Sequence, residues 1–415
     1  MQTRKPALGF IFITLLLDIL GFGLIIPILP KLIEQLQHST TSSAAHMYGA
    51  LTGVYALMQF LFASVLGSLS DRFGRRPVIL VSLFGSAVDF LFMALAPNVP
   101  WFFIGRVING ISGANITTAT AYIADISPPE KRAANFGIIG AAFGVGFILG
   151  PALGGWLGEY NLRLPFFVAA GLTFANWLYG YFVLPESLAL ENRRAFSWKR
   201  ANPVGSLTAL GHYPLVLRLA VSLFLINIAQ FMLHSTWALY TAYRYSWSPR
   251  QIGLSLAFVG LMTALVQGGL TRRIIPKLGE RRAILLGFSI SSVCYLGYAF
   301  APHGWVIYIV LAFGCLAGIG GPATQGLISR NVPANEQGAV QGALTSLSSL
   351  GQIIAPLVST NLFGWFIGPQ APAHLPGVAF ILSSVATVVA LVLAVRSFQD
   401  HAAPAAPGTP APAAG

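Results

Sequence analysis

The feature that most constrains this chain is a succession of apolar stretches, each long enough to cross a bilayer and separated by short polar connections. Their approximate limits are 7–29, 47–69, 77–96, 100–124, 134–157, 164–184, 214–238, 251–273, 282–301, 304–328, 338–362 and 374–396. A hydrocarbon core about 30 Å thick takes about 20 apolar residues as a helix, and backbone groups inside it must satisfy one another. The expected fold is therefore an all-α membrane protein with twelve transmembrane helices. Composition agrees: 55% of the 415 residues are hydrophobic and 9% charged, against about a quarter charged in soluble domains. The first stretch follows Arg4 and Lys5, as a signal peptide would, but it is too long, contains Asp18 and lacks a small-residue cleavage site.

A net charge of +12 raises the question of nucleic acid, and the distribution of the charge answers it. With the N-terminus inside, nineteen Lys and Arg residues fall in cytoplasmic segments, and only Lys31, Arg163, Arg244 and Arg250 fall outside. That is the positive-inside bias, so both termini are expected in the cytoplasm and no nucleic-acid partner is expected. Cys294 and Cys315 lie within apolar spans, where small buried packing residues are the default, and no metal cluster is expected.

The longest polar stretch, 185–213, divides the chain into a 1–184 bundle of six helices and a 214–396 bundle of six. A Pro/Ala tail, 397–415, is expected to be disordered. The halves are copies at a constant offset of 205 residues: Gly74 maps to Gly279, Arg76 to Arg281, Gly113 to Gly318, Pro128 to Pro333, Gly146 to Gly351 and Pro151 to Pro356. Such a parallel repeat suits two bundles that rock about a central site. Ionisable residues do not follow the repeat. Asp18, Asp71, Asp89 and Arg106 become Leu223, Pro276, Cys294 and Leu311.

Three places carry chemistry. The connection Gly67-Ser68-Leu69-Ser70-Asp71-Arg72-Phe73-Gly74-Arg75-Arg76-Pro77 combines an acid, three arginines and two glycines. Gly67 allows close helix approach, Gly74 a sharp turn, and Asp71 caps the next helix or pairs with an arginine. In helices 3 and 4, Asp89 and Arg106 stand nine and eight residues from a hairpin tip near Asn98. Equal rise puts them at similar depth, about 12–14 Å below the tip, where either they form a fixed ion pair, or Asp18 and Asp89 exchange protons or meet a cationic substrate while nearby Arg106 tunes them. In helix 5, Gly146, Gly150, Pro151, Gly154 and Gly155 permit close packing and a bend; the segment reads as architectural or as part of the transport cycle.

The 67–77 loop resembles the signature between helices 2 and 3 of the major facilitator superfamily, where the acid and arginines latch a cytoplasmic gate. The Gly150-Pro151-x-x-Gly154-Gly155 ending is similar to that superfamily's antiporter motif. Asp18-Ile19-Leu20-Gly21-Phe22-Gly23-Leu24-Ile25-Ile26-Pro27, Tyr55-Ala56-Leu57-Met58-Gln59-Phe60, Ala87-Val88-Asp89-Phe90, Ala121-Tyr122-Ile123-Ala124-Asp125 and Leu184-Pro185-Glu186-Ser187 resemble the bacterial tetracycline exporters. This likeness implies functional roles for Asp18, Asp71, Asp89 and Arg106, and a pocket lined by Gln59, Thr117 and Thr118. Read alone, Gln59 is as well a helix–helix hydrogen bond, and the threonines bond their own backbone. One departure stands out: similar exporters carry a histidine in helix 8 and an aspartate in helix 9, where this chain has Thr263 and Ser291. His234 in helix 7 either substitutes or is a packing residue.

No phosphate-cradling loop and no enzyme-like constellation occurs in the sequence. The expectation is a non-enzymatic proton-coupled drug exporter of the bacterial inner membrane, acting as a monomer on a small molecule and protons. No cofactor is expected beyond the proton gradient, with magnesium carried alongside the substrate if that is tetracycline. Export of another drug or metabolite is the alternative, and proton-coupled nutrient import a more distant one.

Overall fold

The apolar stretches fold as helices because only intra-segment hydrogen bonds satisfy a backbone in hydrocarbon. The computed structural model describes residues 8–113, 115–128, 132–194, 196, 210, 211, 213–333 and 336–400. The first bundle contains α1 (Leu8–Ile25), α2 (Thr41–Phe73), α3 (Arg75–Leu95), α4 in two pieces (Val99–Ser112 and Asn115–Ile126), α5 (Arg132–Tyr160) and α6 (Leu164–Val183). The second contains α7 (Pro214–Tyr245), α8 (Pro249–Leu265, continuing through a π-helical turn to Thr271–Leu278), α9 (Glu280–Phe300), α10 (Gly304–Leu316, a 3₁₀ turn, then Gly320–Arg330), α11 (Gln337–Ile367) and α12 (Val378–Asp400). Eleven of these helices are each long and apolar enough to span a membrane; α4 makes the twelfth crossing in two pieces. The fold is thus the expected multi-pass one.

Three details differ from expectation. A short helix, Leu29–Gln37, with Pro30 in its first turn, follows α1 in the polar connection between the first two apolar stretches. α2 begins at Thr41, whose preceding Thr40 caps it by accepting from the Ser43 N–H at 3.4 Å. α12 continues to Asp400, so 397–400 are helical and not tail. The Pro/Ala residues beyond 400, and linker residues 197–209, lie outside the described residues.

The repeat is visible in the backbone. α3, both pieces of α4, and α5 recur 205 residues later as α9, α10 and α11, with starts and ends agreeing within two residues except at the breaks. Gly74 and Gly279, before α3 and α9, both have positive φ, 106° and 76°, which a Cβ would strain. α4 breaks at Gly113 and α10 at its counterpart Gly318.

Within the first bundle α1 packs on α5 and α6, α2 on α4, and α3 on α4 and α6; within the second, α7 packs on α11 and α12, and α9 on α12. The bundles meet along two crossings related by the repeat, α2 with α11 and α5 with α8. Both crossings lie in the half of the molecule away from the linker. Ser42 Oγ donates to the Gly364 carbonyl at 2.6 Å, His46 Nδ1 lies 2.5 Å from Asn361 Oδ1, and Ser248 Oγ donates to Glu159 at 2.8 Å. Gly49 fits against Pro356 and Thr360, and Gly253 against the Pro151 carbonyl, so small residues bring backbones together where the helices cross.

Candidate functional site

On the linker face, the loop after α2 is held by charge. Arg75 is buried and reaches Asp71 at 2.7 Å, Ser70 Oγ at 2.6 Å and Asp125 of α4 at 3.1 Å. Arg76 donates to the Tyr181 carbonyl at 2.6 Å, and Arg72 lies over the Phe73 ring at 5.0 Å. These contacts tie α2, α3, α4 and α6 into one unit. Asp71 pairs with Arg75 and does not cap α3. The cap is Glu186, whose carboxylate accepts from the N–H groups of Arg75 at 2.8 Å and Arg76 at 3.2 Å. Those are orphan donors of the first turn, so a carboxylate from the linker reaches where the helix end is positive. Glu186→Ala is expected to cost about 1–2 kcal/mol, read as a lowered melting midpoint in detergent, with Glu186→Gln retaining part of the loss. Gly67 does not serve as a close-approach site in this conformation, because a Cβ there would meet only the Thr117 methyl, at 3.9 Å.

Asp89 and Arg106 do meet. Arg106 donates to Asp89 Oδ2, Asn109 Nδ2 donates to the same oxygen at 2.6 Å, and Ser86 Oγ donates to Asn109 at 3.1 Å. Asp89 is 0% exposed and Arg106 5%, so in this conformation Asp89 contacts no solvent. Arg106 also lies over the Tyr55 ring at 5.4 Å, and Phe22 of α1 stacks on that ring at 6.4 Å. Half-buried Asp18, one turn before Phe22, is within electrostatic reach of the Tyr55 hydroxyl. The Tyr55 hydroxyl is therefore within electrostatic reach of both intramembrane acids, which lie on different helices.

Between the bundles, on the linker side of the two crossings, is a cavity of about 320 Å³. α2 contributes Gln59, Phe60 and Ser64, α4 contributes Thr117, and α11 contributes Ser349 and Gln352. Gln59 also donates to the Gly113 carbonyl at 3.2 Å, at the break in α4, so it both lines the cavity and bridges two helices. The expectation for the threonine pair is half corrected. Thr117 faces the cavity, whereas Thr118, the next residue and so about 100° round the helix, is 1% exposed and turned into the first bundle. His234 is exposed on α7 and is not among the cavity-lining residues.

The helix 5 motif works along two faces. Cβ atoms at Gly146, Gly150 and Gly154 would strike Ile19, Gly23 and Leu24 of α1, while one at Gly155 would strike Pro249 of α8. α5 is thereby packed inside its own bundle and against the other bundle at once.

A sequence profile described as Major Facilitator Superfamily matches residues 11–356. The chain belongs to the Major Facilitator Superfamily. The class C tetracycline resistance protein of Escherichia coli is 41% identical over 357 residues, covering 86% of this chain and 89% of that one. The class G protein of Vibrio anguillarum is 36% identical, covering 92% and 95%. Among solved structures, a human organic anion transporter, MFSD10 (TETRAN), is 26% identical with a TM-score of 0.70, covering 93% of this chain and 98% of that one. The nucleoside transporter NupG, at 12% identity, shares the fold alone, with a TM-score of 0.76 over 94% of this chain and 99% of that one.

As a superfamily member the chain is a multi-pass membrane transporter for a small molecule and not an enzyme. Sequence reasoning quotes Tyr55, Asp125 and Glu186 only within resembling stretches and gives them no role of their own, and it does not reach Asn109. Tyr55 and Asn109 carry no charge, and Glu186 sits in the linker, where a carboxylate usually reads as a solvated side chain. A signal for Asp125 existed, since it is the penultimate residue of α4, seven residues from Thr118 and so on the same face.

Proposed function

We propose that this transporter exports tetracycline or a tetracycline-like compound in exchange for protons across a bacterial inner membrane. The observation that carries the reading is the 34–41% identity, along most of the chain, to six proteins named as tetracycline resistance proteins. The geometry fits it. The linker face, rich in Lys and Arg, is cytoplasmic by the positive-inside rule, so the cavity faces the cytoplasm and the two crossings close the outer side. A drug enters beside Gln59 and Thr117. When the bundles rock, protonation of Asp18 or Asp89 from outside lets the drug leave, and the loop carrying Asp71, Arg72, Arg75 and Arg76 latches the inner side. Magnesium takes part as the drug's own chelated ion, a piece of the cargo.

A second reading, export of a different drug or metabolite, is favoured by Thr263 and Ser291. Thr263 donates to Cys315 at 3.7 Å, a neutral contact with no counterpart to a titrating histidine. Everted membrane vesicles loaded with protons separate the two. Addition of tetracycline with magnesium is expected to release protons from the lumen, and a response only to other compounds would reassign the substrate. Silence to every drug would remove proton-coupled export altogether.

A further inference from the structure

One turn of α2 and one turn of α4 face each other between the cavity and the buried ion pair. Tyr55 and Gln59 are four residues apart on α2, as Arg106 and Gly110 are on α4, so each pair stacks along its own helix. Gly110 lets the two turns touch: a Cβ there would fall 2.7 Å from the Tyr55 carbonyl oxygen and 2.5 Å from the Met58 Cβ. At the linker end of this contact Gln59 lines the cavity. At the other end the Tyr55 ring lies against the Arg106 guanidinium, 5.4 Å away, and Arg106 holds Asp89.

The Gln59 amide fits only one way round. The Gly113 carbonyl, at the C-terminal end of the first piece of α4, lies 3.2 Å away and can only accept, so the amide turns its NH2 group inward. That same nitrogen also donates to the Tyr55 hydroxyl at 3.4 Å. Both amide protons are thereby committed inside the bundle, and among the described residues Gln59 Oε1 has no partner. The group Gln59 has left for the cavity is a carbonyl oxygen, an acceptor.

We propose that Tyr55 is a positioning residue that couples the cavity to the Asp89–Arg106 pair, and that drug acts on it through Gln59 Oε1, which accepts a hydrogen bond from a hydroxyl or ammonium group of the drug. This rests on the proton-coupled reading above. Drug held on Gln59 fixes the amide, the amide fixes the Tyr55 hydroxyl, and the Tyr55 ring keeps the guanidinium seated on Asp89. A carboxyl group offered that seat gives up its proton: the O–H bond breaks, the proton goes to the medium, and the carboxylate accepts from Arg106. In reverse, protonation of Asp89 frees Arg106, unseats Tyr55 and loosens drug, because coupling between two binding sites is reciprocal. The structure shows the seated form. Few other titratable groups bear on it. Asp18 of α1 is within electrostatic reach of Tyr55, Tyr48 of α2 is within reach of Arg106, and α6 has its titratable groups, Tyr179 and Tyr181, at its linker end.

The test uses the full-length protein in detergent, with pre-formed tetracycline–magnesium chelate as the probe. It reads protons released per chelate bound in weakly buffered solution, beside the binding curve from tetracycline fluorescence. Asp89→Asn reports whatever the chelate itself releases, and that amount is subtracted. Tyr55→Phe keeps the ring on Arg106 and removes the hydroxyl. It is expected to bind the chelate within about twofold of the wild type and to lose about threefold or more of the release. A smaller loss overturns the coupling, and a matching loss of affinity would place Tyr55 in the drug contact and overturn its positioning role. If Tyr55→Phe does not fold, Gln59→Leu cuts the same contact and decides at the same threshold, per chelate bound. A drug-free readout tests the contact alone. In melting midpoint, Tyr55→Phe combined with Gln59→Leu is expected to fall no further than the worse single variant, whereas additive falls overturn the link. A wild type that does not bind the chelate, or binds it without releasing protons beyond Asp89→Asn, defeats the proton-coupled tetracycline reading and the transmission step with it. Non-additive melting would then still assign the Tyr55–Gln59 contact.

Discussion

Arg106→Leu is expected to unfold far more readily than the wild type, and Asp89→Cys combined with Arg106→Leu to recover most of the loss while remaining inactive. Asp89 is fully buried and held by Arg106 and Asn109. Removing the guanidinium leaves a carboxylate in a low-dielectric interior, at a cost of about 3–5 kcal/mol for breaking a buried pair. The second half of the chain shows that the pair can be dispensed with structurally. By the repeat, Asp89 corresponds to Cys294 and Arg106 to Leu311, both buried, at 8% and 3% exposure, in a hairpin of the same geometry. The double variant imports that apolar solution. Melting midpoints in detergent should fall steeply for Arg106→Leu and return towards wild type for the double variant, while drug-driven proton flux is lost in both. A double variant that transports would remove Asp89 from the coupling mechanism. One as unstable as the single variant would mean that packing, and not an orphaned charge, causes the loss.

Gly154→Val is expected to be as damaging by a different route. A Cβ there would fall on the Leu24 carbonyl of α1, and at the neighbouring contact a Cβ on Gly150 would fall 2.9 Å from the Gly23 Cα. Backbone cannot swing aside as a flexible side chain can, so α1 and α5 must separate. Overpacking of this kind costs about 1–3 kcal/mol or more. Separating α1 from α5 also displaces Gly155 and Pro151 from their seats against Pro249 and Gly253 of α8, and so opens one of the two crossings on the side away from the linker. Transport is expected to fall below detection in vesicles. The control lies two residues before the motif on the same helix: a Cβ at Gly144 meets nothing within 4 Å, so Gly144→Val should transport within about twofold of the wild type. Equal damage from both substitutions would point to helix propensity, whereas tolerance of both would reduce the motif to composition.

Much was legible before any coordinates. Twelve crossings followed from the length of apolar runs, because a bilayer admits no other use for them. The repeat followed from Gly and Pro recurring at one offset, because these residues answer backbone demands that two copies of a fold share. The meeting of Asp89 and Arg106 followed from counting residues on either side of a hairpin tip, because helical rise is constant. What only the tertiary structure decided is which way side chains turn and what crosses between distant segments. Adjacent threonines were read as one pocket-lining pair, yet a step of one residue sends Thr117 to the cavity and Thr118 into the bundle. Asp71 was a candidate cap for the helix that follows it, but Glu186, more than a hundred residues away in sequence, takes that position because α6 returns the chain to the same face. The side on which the bundles touch, and hence where the cavity opens, depends on contacts such as Ser42 with Gly364 and Ser248 with Glu159. These form between residues that no local spacing relates.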